Sequence, residues 1–420
     1  MSNAPATAGP EAVSETVSET FDNLDRAFQT SGPPAALDLL IDRLESRGDF
    51  RALLDALLLK ARYELGLPLV QVGSFSDLPE DQRNRYEERY VEAIRSVGNK
   101  LLALGDIPGA WPYFRAIGET EPVTQAINAF DPADDDPRIG QVVEVAFNQG
   151  ASPQKGFALI LKHYGTCSAI SAFEQLPRDE STRAAAADGL VRQLHEHLVS
   201  NLRAEIAHRG QPLPAEGTPI PALIAGRDWL FADEAYHIDV SHLSATVRVS
   251  PLLTDPAAIA LAAELADYGR HLSPRHRYEG DPPFEDVYVD HGIYLNALLG
   301  KDVDTALAHF RAKLVPPPEP ETGAEPGPES VFGGYGREHD PAAVAQILVG
   351  LLVRLGRLDE AIDVAAEHLA GLPEASLICP GVSQLCQRAG QPARLARIAR
   401  DQGDLVHYTA AILTNARDGR

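Results

Sequence analysis

The stretch Ile94–Pro122, which reads IRSVGNKLLALGDIPGAWPYFRAIGETEP, contains two helical patterns separated by a glycine turn. Apolar residues recur three and four positions apart on both sides of Gly105, as they do on the buried face of an α-helix. A glycine at the junction suits the left-handed backbone that ends one helix before the next begins. This stretch therefore predicts a helix-turn-helix hairpin.

A second copy of the pattern surrounds Gly356, in the stretch Ala345–Pro373. Counted from the turn glycine, both copies place a small residue five positions later, an apolar residue nine positions later and a proline seventeen positions later. The small residue lets two helices approach closely, and the proline ends the second helix. Partial copies surround Gly48 and Gly390, and a copy shifted by one residue follows Gly300.

These positions resemble the tetratricopeptide repeat, and the 34 residues from Gly356 to Gly390 match the period of that family. The resemblance implies an all-α solenoid of stacked helix pairs whose concave face binds peptides or partner proteins. Clear copies cover roughly a third of the chain, so degenerate repeats or insertions lie between them. The signature positions of the family are structural, and they do not indicate which residues would bind.

Changes in composition along the chain predict five segments. We expect a disordered tail in residues 1–30, helical repeats in 31–209, a divergent central helical block rich in histidine and aromatic residues in 210–314, a Pro-, Gly- and Glu-rich linker in 315–341, and further repeats in 342–420. Inside the central block, residues Val287 to Val289 have the composition of a short strand. Asp290 is expected to cap a helix over residues 292–299.

The charge of the chain bears on its partners. With 37 basic and 60 acidic residues the formal net charge is −23, and such a surface repels phosphate backbones, so we expect no nucleic-acid partner. An acidic field favours basic proteins, cationic ligands or metal ions, although it also keeps a protein in solution without any partner.

The termini and the cysteines bear on the compartment. The first residues lack the apolar and basic regions of a signal peptide, and no apolar run is long enough to span a bilayer. Three cysteines, Cys167, Cys379 and Cys386, do not make a disulfide framework. The sequence therefore predicts a cytoplasmic protein with no membrane partner.

Histidines cluster in the middle of the chain. Eight of the 13 fall between His195 and His291, a window of less than a quarter of the sequence. Because imidazole both binds metals and titrates near neutral pH, such clustering is typical of a metal or acid-base site. The pattern indicates no certain cofactor, and a metal site here would hold a divalent ion such as Zn, Fe or Mn.

Three pairs of a carboxylate and a histidine stand three residues apart, the spacing by which helical metalloproteins present both groups to one ion. They supply the candidate metal ligands Glu205, His208, Glu234, His237, Asp239 and His242. Trp229, Phe231 and Tyr236 lie beside the second and third pairs and would bury them. For the second and third pairs the alternative interpretation is a helix capped by Asp233, with His237 and His242 hydrogen-bonded in the protein interior.

Three further segments carry candidate groups. His271, His276 and the pair Asp290-His291 would converge on the same place if the intervening helix, residues 256–268, folds back. Cys167 lies four residues after His163 and would be a nucleophile if Thr166 capped a helix there, although the apolar residues that follow favour simple packing.

Two functions from different classes remain open. The first is a non-catalytic helical-repeat scaffold that binds a protein or peptide partner. The alternative is a metal-dependent enzyme with its site in the central block, hydrolytic by default because no Walker loop, GxGxxG, GxSxG or HExxH motif occurs.

Overall fold

A computed structural model describes residues 17–70, 79–315 and 340–418. All regular elements in these residues are helical, and their single β-bridge joins Glu279 to Asp286. The predicted all-α class is confirmed. The α-helices are α1 (Val17–Ser31), α2 (Pro33–Arg47), α3 (Phe50–Glu64), α4 (Glu80–Ala103), α5 (Ile107–Ala116), α6 (Glu121–Ala129), α7 (Ile139–Val143), α8 (Pro153–Phe173), α9 (Glu180–His208), α10 (Ile220–Ile224), α11 (Val240–Val249), α12 (Pro256–His271), α13 (Val287–Leu298), α14 (Val303–Ala312), α15 (Pro341–Arg354), α16 (Leu358–His368), α17 (Val382–Arg388), α18 (Pro392–Gln402) and α19 (Leu405–Asp418).

The chain divides into two compact units, Met1–Gly156 (unit 1) and Phe157–Arg420 (unit 2). Composition gives no sign of this boundary, because it falls inside α8 rather than in a Pro- or Gly-rich connection. The linker predicted for residues 315–341 lies almost wholly outside the described residues and stays a prediction. None of the described helices is both long enough and apolar enough to cross a membrane.

Consecutive helices of unit 1 pack against one another from α1 to α6. The prediction of a disordered tail is wrong for residues 17–30, which belong to α1. Phe21, Leu24 and Phe28 recur three and four positions apart in this segment, and that helical spacing outweighs its polar composition. Residues 1–16 lie outside the described part of the chain.

The predicted turn at Gly105 joins α4 to α5. Gly105 has φ +75°, which only glycine adopts at little cost, and the next residue, Asp106, caps α5 by accepting a hydrogen bond from the Gly109 amide at 2.9 Å. The two helices approach so closely that a Cβ on Gly98 would lie 2.6 Å from the buried ring of Phe114. The helix-turn-helix hairpin predicted here is confirmed.

A similar turn joins α2 to α3. Gly48, at φ +69°, ends α2, and Asp49 caps α3 by accepting a hydrogen bond from the Ala52 amide at 3.1 Å. This pair differs from α4 and α5 in its burial. Although α2 carries Leu37, Leu40 and other apolar residues, none of its side chains is fully buried.

In unit 2 the central helices α9, α11, α12 and α13 pack together, and α15 to α17 continue from α13 and α14 through one apolar core. Gly356 has φ +74° between α15 and α16, and Ala361 and Ala365 of α16 are fully buried against α15. The hairpin predicted around Gly356 is therefore confirmed.

In unit 2 one segment of strand-like composition is helical, and one local prediction, the cap at Asp290, is wrong. Residues Val287 to Val289 are the first turn of α13 rather than a strand, because Asp286 accepts hydrogen bonds from the amides of Tyr288 and Val289 and so starts the helix. Asp290 lies inside α13 and does not cap a later helix. The β propensity of single residues is weaker than a well-placed helix cap.

Candidate functional site

The centre of the predicted site is a loop that lies against α9 and α12. His237 occupies this loop, and both its amide nitrogen and its Nδ1 lie within hydrogen-bond distance of the Tyr268 hydroxyl, at 2.9 and 3.1 Å. The side-chain amide of Asn201, on α9, donates to the His237 carbonyl at 2.8 Å. The loop is thus tied to two helices through one residue.

Burial sets the protonation of both ring systems. Burial lowers the pKa of His237, and the nearby Glu205 carboxylate opposes that shift. Burial also raises the pKa of Tyr268 to about 12. Both groups are therefore neutral near pH 7, so neither is an anionic nucleophile, and the pair acts to position the loop.

The candidate carboxylates Asp239 and Glu234 have separate structural roles. Asp239 caps α11 by accepting hydrogen bonds from the amides of Ser241 and His242, and its bond from the Ser241 hydroxyl is the main cause of its lowered pKa. Glu234 has a left-handed backbone at φ +60° and faces Arg275 at 3.5 Å. The prediction that Asp233 caps a helix is wrong, because Asp233 also has a positive φ, of +54°.

The structure brings together only part of the predicted ligand set. Glu205 acts on His237 electrostatically and also pairs with Arg209 at 3.0 Å, whereas His208 is exposed in the last turn of α9. Across the described residues, no three His, Cys, Asp or Glu side chains are arranged to hold a metal ion. A metal at these residues stays a prediction, which elemental analysis of untagged protein tests.

Two of the downstream histidines do converge on the loop. His271 stacks on Phe231 with ring centroids 5.4 Å apart, and His276 meets the edge of Tyr236 at 5.1 Å. His291 lies elsewhere, buried beneath Phe284 with ring centroids 4.0 Å apart. The aromatic residues beside the predicted ligands therefore contact histidines, but as packing partners.

A histidine–carboxylate pair also links α9 to α12. His195 Nε2 lies 2.9 Å from Glu264 Oε2, which accepts a hydrogen bond from the Ile220 amide at 2.8 Å. Burial alone would raise the pKa of Glu264, but these two hydrogen bonds hold it below its ordinary value. The pair fixes the start of α10 against the two longer helices.

A second charged cluster surrounds Asp290 of α13. Its carboxylate contacts His309 Nε2 at 2.7 Å and Lys313 Nζ at 2.9 Å, both on the chain of α14 or just beyond it. It also accepts a hydrogen bond from the Asp286 amide at 2.9 Å. Sequence reasoning did not find Lys313 or His309, because both lie about twenty residues from Asp290 and carry no motif.

The structure fits only part of the cysteine hypothesis. Cys167 is exposed and follows the break in the helical backbone of α8 at Gly165, and the Thr166 hydroxyl accepts a hydrogen bond from Gln193 Nε2 at 3.3 Å. Burial raises the pKa of both other thiols, that of Cys379 to about 11, so these two favour the protonated form.

An open apolar surface lies in unit 1 and was not predicted. A groove of about 390 Å³ runs between α1, α2 and α3. Asp25 is the single charged residue among the side chains that line it. The lining is Leu24, Asp25, Phe28, Pro33, Ala36, Leu37, Leu40, Leu59, Tyr63 and Leu69. We call this surface the α1–α3 groove.

Comparison with known proteins leaves these features to be interpreted from the structure. The chain matches no family model, and no curated protein is significantly similar to it.

Proposed function

We propose that the protein is a helical-repeat scaffold of the tetratricopeptide type that binds a segment of a partner protein in the α1–α3 groove. The observation that carries this proposal is an open apolar groove of about 390 Å³ beside a helix, α2, that has no fully buried side chain. The glycine turns at Gly105 and Gly356, each followed by a buried alanine five positions later, support the repeat assignment.

The exposure of the lining favours binding over simple packing. Phe28 is 56% exposed, and Tyr63 and Leu69 are also exposed, although each faces other apolar side chains. Contiguous apolar surface of this kind is uncommon on a protein with no partner, because every such side chain orders water around it. A ligand that covers these side chains would remove that cost.

The charge around the groove indicates what the partner carries. Asp25 lines the groove and Asp22 lies one turn earlier on α1, and neither forms an ion pair with any described residue. Lys or Arg side chains that flank the apolar anchors of a partner would meet these carboxylates. The partner is therefore an amphipathic helical segment with bulky aliphatic residues on one face and basic residues beside them.

A designed peptide tests the proposal directly. The probe is a labelled helical peptide with leucines at positions i, i+3, i+4 and i+7 and lysines elsewhere, titrated with the full-length protein by fluorescence anisotropy. Phe28→Glu is expected to weaken binding by about tenfold or more, since a buried phenylalanine contributes about 2 kcal/mol. Leu104→Glu is the matched control, because Leu104 is an exposed leucine in the same unit outside the groove.

The outcomes separate the proposal from general electrostatic attraction. Equal weakening by Phe28→Glu and Leu104→Glu would overturn it, and so would equal affinity for a peptide with glutamates in place of the lysines. If Phe28→Glu instead changed the sedimentation of the protein alone, a second copy of this chain would be the occupant of the groove, and the partner assignment would fail.

A further inference from the structure

The outer face of α19 is apolar and has no packing partner among the described residues. Leu405 and Val406 are 78% and 75% exposed, and Ile412 and Leu413 are also exposed. Ala411, on the opposite side of the helix, is buried. At 3.6 residues per turn the four large aliphatic residues fall on one stripe of α19, centred on Thr409.

The stripe is symmetric about its central residue. Leu405 and Val406 stand four and three positions before Thr409, and Leu413 and Ile412 stand four and three positions after it. If a second copy of the helix packs against the first in the opposite direction, Leu405 meets Leu413 and Val406 meets Ile412 across the interface. Such self-complementarity is the requirement for a two-fold contact between identical chains.

The charges at the two ends of the stripe fit the same arrangement. Arg417 lies in the last turn of α19, and Asp401 lies in the last turn of α18, next to the start of α19. Neither forms an ion pair within the described residues. In an antiparallel pair the last turn of one α19 lies beside the first turn of the other, so Arg417 of each copy approaches Asp401 and the capping residue Asp404, with Arg400 beside them.

The overall charge favours contact at this place. Residues 382–418 carry five arginines and three aspartates, whereas the whole chain carries 37 basic and 60 acidic residues. Two copies of an acidic protein repel each other, and the repulsion is weakest where the surface is not acidic. A second copy therefore fits this face better than it fits the acidic remainder of the chain.

We propose that two copies of this chain associate through α19, with the two helices antiparallel about Thr409. One helical face of this length buries on the order of 400 Å² per copy, about half of what a standard stable interface buries. The dimer is therefore weak, with a dissociation constant on the order of micromolar, and it forms and dissociates with protein concentration.

Two cysteine variants test the geometry. In a Cys167→Ser background, which removes the exposed native thiol, Thr409→Cys places one thiol beside its own copy on the two-fold axis. Thr414→Cys is the matched control, because both threonines are exposed on α19 and both donate a hydrogen bond to the carbonyl four residues earlier. Under mild oxidation Thr409→Cys is expected to give covalent dimer at least about ten times faster than Thr414→Cys.

A second measurement tests the association without crosslinking. Sedimentation velocity at increasing concentration is expected to show wild-type monomer passing to dimer, with Leu413→Glu remaining monomeric. Ile378→Glu, which changes an exposed isoleucine elsewhere in unit 2, is expected to dimerise like the wild type. Circular dichroism checks that each variant keeps its helix content.

Three results would each overturn the proposal. They are equal crosslinking of the two cysteine variants, a wild-type protein that stays monomeric at about 100 µM, and assemblies larger than two copies, which an antiparallel two-fold contact does not produce. Failure here leaves the α1–α3 groove untouched, because that groove lies in the other unit and is tested with a different probe.

Discussion

The carboxylate of Asp290 and the ammonium of Lys313 form an ion pair of 2.9 Å although Asp290 is only 2% exposed. The same ammonium donates to the Pro283 carbonyl at 2.7 Å and pairs with Glu285, so its three N–H groups all have acceptors. These contacts tie the segment before α13 to the end of α14.

Asp290→Asn is expected to lower the free energy of unfolding by about 2 kcal/mol, because a neutral amide replaces the buried carboxylate that contacts both Lys313 and His309, although Glu285 still pairs with Lys313. Urea unfolding followed by circular dichroism measures the change. Asp304→Asn is the control, since Asp304 pairs with Arg357 at 2.6 Å but its side chain is almost fully exposed. If the two variants lost equal stability, the burial of Asp290 would not be the cause.

His291 is expected to make the protein less stable in mild acid. Burial lowers its pKa to about 4 in the folded state, whereas an unfolded chain binds the proton near pH 6.5. The unfolded state therefore binds more protons between these values, and this contribution to stability falls as the pH drops from 6.5 towards 4. Between pH 7 and pH 5 the loss is about 2 kcal/mol.

The His291→Gln variant tests this pH effect, because glutamine does not titrate. Its free energy of unfolding is expected to be lower than that of the wild type at pH 7, and the difference between the two proteins should shrink by pH 5. Parallel pH profiles for the two proteins would show that His291 is not the responsible group.

Gly98→Ala is expected to destabilise unit 1 by about 1–3 kcal/mol, since the new Cβ would lie 2.6 Å from the Phe114 ring inside the α4–α5 contact. Gly350→Ala is the matched change, because Gly350 also lies within a helix. Apart from its chain neighbours and the backbone of its own helix, no heavy atom lies within 4 Å of the position that a Cβ on Gly350 would take. That variant is expected to gain up to about 1 kcal/mol. Thermal unfolding compares them, and a tolerated Gly98→Ala would contradict the close approach of the helices.

Tyr268→Phe is expected to free the loop around His237, because the amide of His237 loses the hydroxyl that accepts its hydrogen bond. Hydrogen exchange measured by mass spectrometry should show faster exchange over residues 228–239. Tyr236→Phe changes an exposed tyrosine of the same loop and should leave the exchange rate unaltered. Unchanged exchange in Tyr268→Phe would mean that other contacts hold the loop.

The sequence predicted those features that depend on near neighbours along the chain. The turns at Gly105 and Gly356 follow from a glycine between two periodic segments, and both were located correctly. The contact of Asn201 with His237 joins residues 36 positions apart, and that of Asp290 with Lys313 joins residues 23 apart. Such contacts depend on how helices pack, and spacing along the chain does not determine that.

The candidate site was also predicted only in part, because the argument from spacing assumed a helical backbone. A carboxylate and a histidine three residues apart share a face only if the backbone between them is helical. The segment from Glu234 to His237 begins with a positive φ and is not an α-helix, so that spacing has no meaning there. The α1–α3 groove was not predicted for a different reason, since its first helix, α1, lies in a segment of mostly polar composition.

The incomplete burial of α2 has a consequence for how unit 1 comes apart. A helix whose side chains all keep some contact with water loses little when it detaches, so its local opening requires less free energy than global unfolding. Among the described residues of unit 1, limited proteolysis should therefore cut the α1–α2 pair more readily than α4 and α5. If a partner binds the α1–α3 groove as we propose, the bound partner would also slow this cleavage.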